Sequence, residues 1–151
     1  MLKTDPFVLQ KALEQLEQAT LDHAVWRDHV LRVVSGRQSC DPNDLAAESH
    51  RRCLFGRWYF ERTPPELHEL PSFAMIGAEH ENQHRIAATL LRGRAAGEPA
   101  ERAAIEEFED ASERLSYALY FIWREIECAV HSRDALTDAH SSGELVRDLH
   151  E

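Results

Sequence analysis

The chain has 151 residues, enough for one domain with a real core, and 43% of them are hydrophobic and 29% charged. Its 27 acidic residues outnumber its 17 Lys and Arg for a formal charge of −10, so its surface repels nucleic acid and anionic membranes. No apolar run approaches the roughly 18 residues of a membrane span, and the opening MLKTDPFVLQ lacks the apolar stretch of a signal peptide, so no nucleic-acid or membrane partner is expected.

Only 6 Gly and 6 Pro interrupt long amphipathic runs, which makes the fold class all-α. Asp5-Pro6 predicts a helix start, with Asp as cap and Pro in the first helical position. From there Leu9, Leu13, Leu16, Thr20, His23, Val30 and Val34 recur at helical spacing, and Gly36 ends the run. His23 lies on the buried seam, and Trp26 shares its face. The polar stretch RQSCDPNDLAAESHRR predicts a loop with one helical turn. The apolar piece CLFGRWYFER that follows predicts a brief helix against the core, ended by TPP.

A further helix is predicted from about Leu70, with Pro71 in its first turn, to Gly93 or Gly97. Its inner face reads Phe73, Gly77, His80, His84, Ala87 and Leu91. The last long helix is predicted from about Pro99 to Ser132, with a seam of Ile105, Phe108, Ser112, Leu115, Leu119, Ile122, Ile126 and Ala129. Tyr117, Tyr120, Phe121 and Trp123 fall outside that stripe. A second apolar face needs a cover, and a homodimer is expected to supply it. Residues 1–132 are thus read as one helical bundle and 133–151 as a polar tail.

His80 and His84 are four apart on one helix, so both rings leave the same side one turn apart. By itself the pair is a weak sign. Its place on a buried seam, matched by His23 on the first helix, strengthens it. Burying imidazoles without partners is costly, and neutral rings satisfy one another only in part. A metal ion would take one nitrogen of each ring and leave the other for a hydrogen-bond partner, for which Asp22, Glu79, Glu81 and seam Ser or Thr residues are candidates. Cys53 is the best candidate for a fourth ligand. It opens the CLFGRWY piece, where free backbone N–H groups favour a thiolate and Gly56 permits close packing. Three imidazoles and a thiolate suit zinc. Cys128 is expected to be a small buried hydrophobe, and Cys40 an exposed loop residue. His29, His50, His68, His131, His140 and His150 are expected in solvent. Three cysteines without an export signal point to a reducing cytoplasm.

The series HAVW at 23–26, CLFGRWY at 53–59 and HENQH at 80–84 resembles the chemoreceptor zinc-binding domain family, over roughly residues 5 to 132. The resemblance implies an antiparallel four-helix bundle with a short extra helix carrying the cysteine, homodimeric, with one Zn2+ per chain held by His23, Cys53, His80 and His84. It implies a cytoplasmic, non-enzymatic sensor whose zinc occupancy or cysteine oxidation controls an output such as a diguanylate cyclase or a chemoreceptor. The tail adds DALT at 134–137 and ELVRDL further on, which resemble the start of a GGDEF (diguanylate cyclase) domain without its usual continuation. Two other readings compete. A di-iron carboxylate protein needs two Glu-x-x-His motifs, and only Glu81-Asn-Gln-His84 fits. A metal-free helical interaction module would hold its core histidines by hydrogen bonds alone.

Overall fold

A computed structural model of the protein describes residues 5–147, with side chains through Ser132. Among those residues every regular element is helical, and none is a strand. Helix α1 spans Pro6–Val34. The Asp5 carboxylate accepts from the Phe7 N–H at 2.8 Å, as the Asp-Pro start predicts. Gly36, at φ 79°, closes it, because that left-handed geometry is open to glycine at no cost. A 3-10 turn at Pro42–Leu45 and two one-turn helices follow, α2 (Ser49–Arg52) and α3 (Leu54–Arg57). A π turn at Trp58–Arg62 and a 3-10 turn at Pro65–Glu69 complete this return segment. Helix α4 spans Pro71–Ala95, and α5 spans Arg102–Arg147.

Among the described residues the long helices number three, not the four of the expected bundle. The polar run before Cys53, Gly56, and the Pro64-Pro65 pair deny residues 37–70 a long helix. The short helices pack against α1 and α4 instead. Helix α5 also outruns its predicted end near Ser132. No Pro or Gly interrupts it before Gly143, and the Asp and Ser residues there cost a helix only tenths of a kcal/mol each, ~0.5. The segment that resembles a GGDEF start therefore has its backbone in helix as far as Arg147, while its side chains lie outside the described residues.

The core has two apolar parts. At one end Leu9, Leu13 and Leu16 of α1 meet Phe55, Trp58, Ile76, Leu119, Ile122 and Ile126. At the other, Val30, Val33 and Val34 meet Ile86, Leu90, Leu91 and Phe108. These pairings make α1 and α4 parallel and α5 antiparallel to both. Thr20, expected on the seam, is exposed and turns its hydroxyl to the Leu16 carbonyl at 2.8 Å; Ala19 takes the buried place. Between the two apolar parts lies a polar layer of His23, His80, Gln83 and His84, all buried. Cys128, expected inside, is exposed, whereas Cys40 is half-buried against the second apolar part.

Gly56 marks the tightest backbone approach in the return segment. A Cβ there would collide with the carbonyl of His50, which is main chain and cannot swing away. Gly56→Ala should therefore destabilise the fold by about 1–3 kcal/mol, despite alanine's better helix propensity. A lowered midpoint in urea unfolding checks this; an unchanged or raised midpoint contradicts the packing described.

Candidate metal centre

His23 reaches the polar layer from α1, and His80 and His84 from α4. A ligand atom from each of these buried histidines lies within 4.8 Å of the other two. Their ring centroids are 5.0 Å (His23–His80), 4.6 Å (His80–His84) and 6.1 Å (His23–His84) apart. The surroundings are aromatic. Trp26 stacks on His84 at 4.0 Å, and Phe55 lies 4.4 Å from His80. Tyr59 fixes the start of α4 by donating to the Phe73 carbonyl at 2.8 Å.

Cys53 stands beside His80, its sulfur 3.4 Å from Nε2, but the group of ligand atoms that all lie within 4.8 Å of one another comprises the three histidines without it. It is the N-cap of α3, and its Sγ accepts from the Gly56 N–H at 3.2 Å. That bond is the thiolate-favouring contact expected from the sequence. Burial opposes it more strongly, so the Cys53 pKa rises and the side chain without metal is a thiol, whose S–H points to the His50 carbonyl at 3.6 Å.

The hydrogen bonds of the rings are lopsided. His23 Nε2 meets Gln83 Oε1 at 2.6 Å, and His84 Nδ1 meets Ser49 Oγ at 3.1 Å. The opposite nitrogens, His23 Nδ1 and His84 Nε2, are buried with no hydrogen-bond partner among the described residues. A buried ring nitrogen with nothing to bond forfeits the water it left, at a cost of about 1–3 kcal/mol. A site built for a divalent cation has this form: one nitrogen of a ring is held by the protein and the other is free for the ion. The donor set of imidazoles with an adjacent sulfur fits a borderline-soft metal such as zinc.

The partners of the held nitrogens are not those suggested by sequence proximity. Asp22 bonds Gln18, Glu79 pairs with Arg114, and Glu81 is exposed at 4.0 Å from His50 Nε2. Gln83 and Ser49 do the work instead. Gln83 is adjacent to His84 in sequence and fully buried, and a buried amide on a helix seam was the available signal for it. Ser49 gave none, because it sits in a polar run far from the other residues in sequence. His50, expected in solvent, is buried beside Phe60, since the turn of α2 folds it under the return segment. His29 is partly covered and faces Asp44 at 3.6 Å, while His68 and His131 are exposed as expected. The side chains of His140 and His150 lie outside the described residues.

Burial is the main cause that lowers the pKa of all three core histidines. His84 falls to about 3, with His23 and His50 adding to the effect. His80 falls further, with His84, His23 and His50 adding to burial. For His23 the Gln83 bond partly opposes the shift and Arg27 adds to it. All three are therefore neutral near pH 7, the state in which imidazole binds metal. A cavity of about 560 Å³ runs past His23 and Cys53, its wall carrying Asp22, Asp41 and Asp44 together with Arg52 and Arg57.

Residues 23–91 match the family model of the chemoreceptor zinc-binding domain. The match begins at His23, takes in Cys53, His80 and His84, and ends at Leu91 in α4. Neither the curated proteins nor the solved structures include a match to the chain.

The lowered histidine pKa values set the acid stability of the metal-free protein. The unfolded chain takes up protons near the ordinary value of 6.5, while folded His84 resists until about 3. This stability is present above pH 6.5 and drains away as pH falls toward 3, with His23 and His80 acting in the same direction. Urea midpoints of chelator-treated protein should fall between pH 7.5 and pH 5. Equal midpoints would mean the rings are not buried and neutral.

Proposed function

With a chemoreceptor zinc-binding domain as the premise, we propose that the protein is a cytoplasmic zinc-responsive regulatory module, in which His23, Cys53, His80 and His84 hold one Zn2+ per chain. The observation that carries this reading is the pair of buried nitrogens without a partner among the described residues, His23 Nδ1 and His84 Nε2, in a cluster whose third ring, His80, has the Cys53 sulfur 3.4 Å from its Nε2. When bound, zinc supplies a cross-link and keeps the thiol deprotonated. The chain's own residues do the rest. His23 brings α1 to the ion, Cys53 brings the return segment, and His80 and His84 bring α4, so occupancy stabilises one arrangement of three elements. Four protein ligands leave no open position for substrate, which supports a regulatory rather than a catalytic role. Oxidation of Cys53 would remove its donor sulfur, and the cavity along it gives small oxidants a path.

The signal goes to a partner of the chemoreceptor or diguanylate cyclase kind, with a homodimer as the working unit. Large apolar residues left exposed on α1 (Phe7, Leu21, Val25) and on α5 (Tyr117, Tyr120, Phe121) support self-association. Sedimentation should give twice the chain mass of 17.3 kDa, and a monomer at micromolar concentration would remove this part of the reading.

Two observations weigh against the competing readings. A di-iron centre would need Glu81 at the metal, but its side chain is 66% exposed and faces His50. A metal-free module would leave the two ring nitrogens unsatisfied. Elemental analysis of untagged protein should find zinc at one ion per chain. His80→Ala should abolish stoichiometric binding in a competition titration, and chelation should lower the melting temperature of the parent protein. Undiminished binding by His80→Ala would refute the ligand assignment.

A further inference from the structure

Gln83 occupies a place in the core where a leucine would cost nothing. It is fully buried, it bonds His23 in space and precedes His84 in sequence, and both ends of its amide are used. The side-chain carbonyl meets His23 Nε2 at 2.6 Å, and the amide NH2 donates to Ser112 Oγ on α5. A carbonyl oxygen only accepts, so the His23 proton must lie on Nε2 and the lone pair on Nδ1. Nδ1 is the nitrogen left without a partner among the described residues. If the amide were reversed, its NH2 would face His23, the proton would move to Nδ1, and His23 would offer the centre no lone pair. In the arrangement observed, the amide NH2 is taken up by Ser112 Oγ as acceptor, which leaves the carbonyl for His23.

We propose that Gln83 is the positioning residue of the centre: it fixes His23 in the tautomer that presents Nδ1, and through Ser112 it ties that choice to α5. The role in metal binding rests on the zinc reading above; the hold on the tautomer does not. Ser49 acts on His84 through a hydroxyl, which can rotate to donate or accept, so it permits either tautomer. The fixed amide carbonyl of Gln83 selects one. The link also places α5 in the centre's hydrogen-bond network although it supplies none of the ligands proposed.

The test uses the full chain with 15N-labelled histidine. In metal-free wild type, His23 should show the Nε2–H tautomer. Gln83→Leu, which fills the same space without polar atoms, should give a mixture of tautomers and bind zinc 10- to 100-fold more weakly. Gln83→Glu keeps the acceptor and should keep both the tautomer and an affinity within about threefold of wild type. Ser112→Ala should loosen the tautomer preference without removing a ligand. Wild-type affinity and tautomer in Gln83→Leu would overturn the proposal, as would an Nδ1–H signal for His23 in the wild type. Should wild-type protein bind no zinc at all, the functional reading fails and the metal-binding role of Gln83 fails with it. The tautomer spectra still decide whether Gln83 governs His23.

Discussion

The structure depends on a polar layer set across an apolar core. His23, His80, His84 and Gln83 take seam positions that leucine or isoleucine would fill more favourably, and apolar packing continues on either side of them. Each buried nitrogen left unbonded subtracts about 1–3 kcal/mol from a domain whose whole margin is about 5–15 kcal/mol. The layer is tolerable because most of its polar atoms are matched and because those left over converge. Three rings meet edge and face within a few ångströms, with Trp26 stacked on His84 and Phe55 against His80. Exclusion of water keeps the rings neutral, and neutral rings keep their lone pairs.

Much of this layer was legible in the sequence, because helical periodicity says which residues face inward. His23, His80 and His84 stood where the 3–4 alternation of α1 and α4 demanded apolar side chains, and the structure buries all three. Cys53 was legible through its place at the head of a short apolar string, and its sulfur does cap α3. The failures share a cause. Local polarity points His50 and Ser49 outward, and the usual fate of a free cysteine points Cys128 inward, but their burial depends on how the return segment folds and how α5 rotates. A run such as RQSCDPNDLAAESHRR has no period, so nothing in it tells that Ser49 and His50 turn inward while Arg51 and Arg52 turn out. Residues 37–70, read from the sequence as a loop and a brief helix, hold only short elements, because Gly56 and the Pro64-Pro65 pair break the run and tertiary contacts decide where each short turn comes to rest.

The family match covers the segment from His23 to Leu91, and all the residues that surround the proposed ion lie in it. Helix α5 lies outside that segment, yet it provides Phe108 against Trp26 and Ser112 against Gln83. The histidine-bearing part and α5 are thus joined by specific contacts at the level of the polar layer.

The parallel course of α1 and α4 has its own consequence. To begin α4 beside the start of α1, the chain after Val34 must travel back along the whole bundle, and Cys53 is a waypoint on that journey. The stretches from His23 to Cys53 and from Cys53 to His80 are nearly equal in length and act as tethers. The entropy of closing such a tether changes by only about 0.6 kcal/mol when its length doubles. Evolution can therefore lengthen or shorten either tether at little cost, whereas the four-residue step from His80 to His84 is locked by the pitch of a helix. Divergent relatives of this chain should accordingly keep the short motifs intact and vary freely in the distances that separate them.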